Sequence, residues 1–135
     1  MPTSKALKEV LVVDDNSTLR YVLGRLVRLA GFEVVEAATG REAIASVSRS
    51  KISAMVLDLK LGDMDGFQVC RELRNSSATQ PIPIVMVSSA FYDPKVPDGE
   101  FEKAKKKAAR LGVELLGRGD ALNELGPMLK KLLAD

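Results

Sequence analysis

Three short apolar runs in this chain stop abruptly at oxygen-bearing side chains. VLVV at 10–13 ends on Asp14 and Asp15, AMVL at 54–57 ends on Asp58, and IVMV at 84–87 ends on Ser88 and Ser89. Four uninterrupted apolar residues are too few for a helix and lack the alternation of a strand with one wet face. They read as strands covered on both faces, as in a parallel sheet with helices on each side. After Asp58 come Gly62, Asp63, Asp65 and Gly66, all turn formers, so Asp58 is delivered to the rim of the sheet.

The intervening segments carry helical spacing. Asn16 or Ser17 is placed to cap a helix whose Leu19, Leu23, Leu26, Val27 and Ala30 recur every three or four residues before Gly31. A second strand at 32–37 is broken by Glu33 and Glu36, which puts it at an edge. A helix over 40–49 follows through Ala43, Ile44 and Val47, then strand three at 52–57. A helix over 67–74 buries Phe67, Val69 or Cys70, and Leu73. Strand four at 84–87 leads into a loop at 90–99 with two prolines, in or beside which Phe91, Tyr92, Val96 and Phe101 are expected to cover the core. A Lys-rich helix over 100–111 ends at Gly112, and strand five is short, at 113–116. Asp120 is read as the cap of a last helix with Leu122, Leu125, Leu129, Leu132 and Leu133 inward, kinked or split at Gly126 and Pro127. Strands alternating with crossover helices give an α/β, doubly wound, five-stranded parallel sheet with helices on both faces. The order 2-1-3-4-5 sets strands one, three and four side by side and gathers Asp14, Asp15, Asp58 and Ser88 in one crevice at the carboxyl ends.

A length of 135 residues, 46% of them hydrophobic, reads as one domain over 1–135 with its core at about 8–134. Histidine is absent and Cys70 is the only cysteine, which excludes histidine triads, Cys/His metal sites and internal disulfides. Twenty basic and 18 acidic side chains leave a net charge of +2, and no direct nucleic-acid binding is expected from so even a balance. No apolar run approaches the roughly 18 residues of a spanning helix, so no membrane association is expected and the cytoplasm is the expected location.

Carboxylates crowded at one crevice repel one another unless a cation intervenes, and oxygen ligands without thiolate or imidazole favour Mg2+. A carboxylate left partly free beside Mg2+ could attack phosphorus and form an acyl phosphate. Asp58 is the candidate nucleophile, with Ser88 as hydrogen-bond donor to the phosphoryl oxygens.

VLVVDDN, MVLDLKLGDMDG and IPIVMVSSA, in this order, resemble the receiver domain of bacterial response regulators, with its flavodoxin-like, CheY-like fold. The sheet order is shared by that family, so the two readings are not independent. The resemblance implies that Asp58 accepts a phosphoryl group from a sensor histidine kinase or phosphotransfer protein. Asp14, Asp15, Asp58 and the backbone carbonyl of Lys60 would hold Mg2+, and Ser88 would move toward the phosphate. Such a domain, either stand-alone or a fragment of a longer regulator, catalyses only its own phosphorylation and dephosphorylation and signals to a downstream protein whose identity is unknown. The family's lysine after strand five is not found; Arg118, followed by Gly119, is the nearest substitute. Its aromatic switch position falls on Leu115, Gly62 replaces a common proline, and the segment from Ser88 to Gly112 is longer than usual.

Two rival functions are a phosphorylation-independent pseudo-receiver acting as an interaction module and a metal-dependent phosphohydrolase. Single residues also have plainer readings. Asp14 and Asp15 could only cap the first helix, Cys70 fits a core residue, and the lysines at 103 and 105–107 fit a solvated face. Asp63, Asp65, Gly66 and Glu72 match part of a calcium loop, but Leu61 occupies the first ligand position and excludes it.

Overall fold

The computed structural model describes residues 6–88 and 96–134, with Arg118 described by its backbone alone. Within them the strands are β1 (Glu9–Val13), β2 (Glu33–Ala37), β3 (Ala54–Asp58), β4 (Ile84–Ser88) and β5 (Val113–Gly117). The helices are α1 (Ser17–Leu29), α2 (Gly40–Arg49), α3 (Gly66–Arg74), α4 (Glu100–Arg110) and α5 (Arg118–Leu132). All strand pairings are parallel, and the order is β2-β1-β3-β4-β5, as expected. The acidic β2 is at an edge, with Glu33 and Glu36 exposed.

Alternation along each strand divides the core into two layers. Leu11, Val13, Met55, Leu57, Ile84 and Met86 face α2, α3 and α4, meeting Ala43, Phe67, Cys70 and Ala108. Val10, Val12, Ala54, Val56, Val85 and Val87 face α1 and α5, meeting Leu23, Val27, Leu125 and Leu129. Both series are almost fully buried, which accounts for the uninterrupted apolar runs. Phe101 packs against the first layer, as a covering residue should, whereas Phe91 and Tyr92 lie outside the described residues.

The ends of elements depart from the sequence reading. β3 starts at Ala54 and includes Asp58, and β4 includes Ser88, so both polar residues belong to the strands they end. α5 begins directly after Gly117, which is its N-cap; Asp120 lies in the first turn, where its charge favours the helix dipole without capping. Pro127 lies within α5, which is not split. Leu125 and Leu129, both 0% exposed, clamp the helix on either side of it, and Gly126 packs beside Ala30, the C-cap of α1. Leu122 and Leu132 are 62% and 38% exposed, because the buried stripe runs through Ala121, Leu125 and Leu129, one residue round the helix.

At the sheet's opposite end, Arg74 fastens two connections at once. Its guanidinium donates to the carbonyls of Gln80 and Ile82 before β4, at 2.6 and 2.7 Å, and to those of Leu111 and Gly112 after α4, at 2.7 and 3.2 Å.

Candidate functional site

The register fixes the acids before any side-chain geometry is considered. Val13 pairs with Leu57, so the next residues, Asp14 just past β1 and Asp58 at the end of β3, stand side by side on neighbouring strands. Both continue the series that faces α1 and α5. Asp15 completes the group: one carboxylate oxygen from each of Asp14, Asp15 and Asp58 lies within 4.8 Å of the others.

Their surroundings differ. Asp14 is 3% exposed, and its Oδ1 accepts the Asn16 N–H at 2.9 Å. Its backbone carbonyl accepts from Arg20 Nη1 at 2.7 Å, while Arg20 Nε donates to Glu36 at 2.8 Å. Asp15 is exposed and Asp58 is partly buried. Burial raises the Asp14 carboxyl above the ordinary range, and the Asn16 N–H only partly offsets it. Asp58 is pushed up to about 7, first by burial and then by the charge of Asp14. Like charges held together in this way are relieved by a hard divalent cation, and the donor set is all oxygen. These residues fit Mg2+.

The loop after Asp58 is folded tightly. Gly66 N–H donates to the Leu59 carbonyl at 2.7 Å, Lys60 and Asp65 form an antiparallel bridge, and Asp65 Oδ1 accepts the Phe67 N–H at 2.7 Å to cap α3. A β-carbon at Gly66 would lie 2.6 Å from the Asp58 carbonyl oxygen, so glycine is required there for space. This fold holds the Lys60 backbone two residues from Asp58. Asp63 accepts from the first-turn amides of α2, which hold its carboxyl below the usual range. Asp63 and Asp65 are thus helix caps, in keeping with exclusion of a calcium loop.

Of the other sequence candidates, Ser88 is 2% exposed at the end of β4, one residue beyond Val87, the partner of Asp58. Ser88 pairs with Gly117, and Arg118 comes next in the chain, so its backbone starts α5 beside the same rim. Leu115 is 3% exposed and packed in the core. Sequence reasoning missed Arg20, Asn16's bond to Asp14 and Asp63's bond to α2. Asn16 was recognisable as a cap, but Arg20 and Asp63 act across long sequence separations that carry no local pattern.

A cleft of about 450 Å3 opens from Asp14 and Asp58 between α1 and α5, walled by Leu19, Val22, Leu26 and Leu122. One end of the site is therefore acidic and its flank is apolar.

Residues 10–99 match the family model of the response regulator receiver domain. The chain belongs to that family. This receiver is 32% identical over 97 residues to the protein PilG of Pseudomonas aeruginosa, covering 72% of this chain and 67% of PilG. It spans only 33% of the ycf27 regulator of Cyanophora paradoxa, to which it is 39% identical over 82 residues. Among solved structures, the chemotaxis response regulator CheY4 of Vibrio cholerae superposes with a TM-score of 0.78 at 26% identity, covering 95% of this chain and all of CheY4. The receiver domain of a Pseudomonas aeruginosa sensor histidine kinase, solved with magnesium in its active-site cleft, shares the fold with a TM-score of 0.78 at 24% identity and covers 96% of this chain.

Proposed function

We propose that this receiver takes a phosphoryl group onto Asp58 from a phosphohistidine donor, a sensor histidine kinase or a phosphotransfer protein, and signals by binding a downstream protein. The observation that carries the reading is the convergence of Asp14, Asp15 and Asp58 at the ends of adjacent central strands. Asp58 is the nucleophile because it is partly exposed at the mouth of the cleft, whereas Asp14 is buried with Oδ1 bonded to Asn16. Mg2+, when bound by Asp14, Asp15, Asp58 and the Lys60 carbonyl, would neutralise the acids and bring phosphoryl oxygens within reach. As the Asp58 oxygen–phosphorus bond forms, the phosphorus–nitrogen bond to histidine breaks and the imidazole leaves, taking up a proton. Ser88 is the proposed donor to a phosphoryl oxygen, and Arg118 the proposed substitute for lysine. The domain then catalyses only its own phosphorylation and hydrolysis.

No helix among the described residues is long and apolar enough to cross a membrane, and the cytoplasm is the proposed location. The test is intact-mass spectrometry after incubation with Mg2+ and a small acyl phosphate. One phosphoryl adduct is expected on the wild type and none on Asp58→Asn; an unmodified wild type beside a modified control receiver overturns the reading. A second reading is supported by the resemblance, which places Leu115, buried and without a hydroxyl, where the family has its aromatic switch. A pseudo-receiver would bind its partner equally well as wild type or Asp58→Asn, with or without phosphodonor.

A further inference from the structure

The tip of the loop that follows Asp58 is tied to a helix from an earlier part of the chain. α2 already has a local cap: Thr39 Oγ1 accepts the Glu42 N–H at 3.0 Å, and the Glu42 carboxylate accepts the Ala38 N–H at 2.7 Å. That reciprocal pair leaves the first two helical amides, those of Gly40 and Arg41. The Asp63 carboxylate takes both, at 2.9 and 3.0 Å, one with each oxygen. The next residue repeats the attachment by packing. Met64 lies so close over Gly40 that a β-carbon there would be 2.7 Å from the Met64 sulfur.

The same loop is closed at its base by the Lys60–Asp65 bridge and the Gly66-to-Leu59 hydrogen bond. It is a small hairpin held at the foot by β3 and at the tip by α2. Lys60 stands at the foot of the ascending side, paired with Asp65, three residues before the Asp63 attachment. Moving the tip would tilt the hairpin and carry the Lys60 carbonyl with it, whereas loss of the Thr39 hydroxyl removes only the acceptor of the Glu42 N–H and leaves both Asp63 hydrogen bonds their donors and acceptors.

We infer that Asp63 and Gly40 are positioning residues for the divalent-cation site: by fastening the loop tip to α2 they set where the Lys60 carbonyl stands relative to Asp14, Asp15 and Asp58. The inference rests on the proposed function for the cation and extends it to residues outside the acidic cluster. Asp63 is not itself a ligand, since both its oxygens are engaged by α2 amides.

Titration calorimetry with Mg2+ on wild type, Asp63→Ala, Asp63→Asn and Thr39→Ala tests it, with thermal melts of each variant run in parallel. Asp63→Ala is expected to bind Mg2+ roughly 10-fold more weakly, the usual effect of removing a group that orients a metal's ligands. Asp63→Asn keeps one accepting oxygen and should fall between. Thr39→Ala should lose thermal stability yet keep the wild-type Kd. Phosphorylation of Asp63→Ala should recover at saturating Mg2+, placing the defect in binding. A wild-type Kd in Asp63→Ala, or an equal weakening in Thr39→Ala, overturns the inference. If Asp63→Ala fails to fold, Asp63→Asn decides alone, and an unchanged Kd again overturns it. A wild type that binds no Mg2+ at all defeats the cation reading itself, and with it this one.

Discussion

The first three helices and the last two start at the same rim of the sheet but are anchored by different means. Asn16 caps α1, Thr39 caps α2 and Asp65 caps α3, each through a side-chain oxygen accepting a backbone N–H. α4 and α5 start after Gly99 and Gly117, and neither has a side-chain cap hydrogen bond. Gly99 has φ +89, a conformation that glycine adopts without strain and other residues rarely do. The contrast divides the rim into an acceptor half, where polar side chains fix backbone around the acids, and a β4–β5 half whose helices follow a glycine N-cap that offers no side-chain acceptor. A site that must hold three like charges together needs the first kind of anchoring. A surface that must answer to the site's occupancy is better served by the second.

The sharpest way to break the acceptor half is Gly66→Ala. The added methyl would press on the Asp58 carbonyl, and overpacking of this kind costs about 3 kcal/mol. A denaturant melt should show that loss, and phosphorylation of the remaining folded protein should be slowed.

Next is the charge itself. The Asp58 carboxyl is raised from 3.8 to about 7, so the folded state holds its proton more tightly than the unfolded chain. Without Mg2+, stability is therefore greatest below pH 3.8 in this respect, falls as pH rises, and has been lost by about pH 7. Asp58→Asn should remove that slope and, at pH 8 with chelator, exceed the wild type by about 2 kcal/mol, after allowance for partial solvent screening. Millimolar Mg2+ should close the gap from the wild-type side. A mutant no more stable than wild type in chelator would mean that the acids are not under electrostatic strain.

Smaller again is the cap. Asn16→Ala should cost about 1 kcal/mol in thermal melts, whereas Gly117, having no side chain, contributes no comparable anchor. The finest probe is amide hydrogen exchange. First-turn amides of α4 and α5 should exchange about fivefold faster than those of α1 to α3, the equivalent of one cap of about 1 kcal/mol. Equal protection at all five helix starts would erase the comparison.

The same division governs what the sequence could reveal. β1, β3 and β4 are buried on both faces, so their apolar runs, their parallel pairing and the edge position of the acidic β2 were all readable, and with them the meeting of Asp14 with Asp58. Asn16 was readable because a cap acts on residues nearby. Asp63 was not, since it binds Gly40 across 23 positions and no local pattern encodes that pairing. The start of α5 was misplaced because Asp120 is a good cap by type, while a glycine after a strand gives little signal of the helix that follows it. Leucine spacing alone cannot fix which side of a helix meets the sheet, and Leu122, which shares that spacing, is exposed. The disruptive tendency of Pro127 is outweighed by the burial of Leu125 and Leu129 on either side of it.

Arg74 adds a mechanical consequence. Its bonds to the carbonyls of Leu111 and Gly112 grip the carboxyl end of α4, and Lys107, 4.5 Å from the centre of the Phe67 ring, ties the same half of the helix to α3. At the amino end Phe101 packs against the core layer that faces α2, α3 and α4. Arg74 thus resists sliding of α4 along its axis, because any such shift would stretch its bonds to the Leu111 and Gly112 carbonyls.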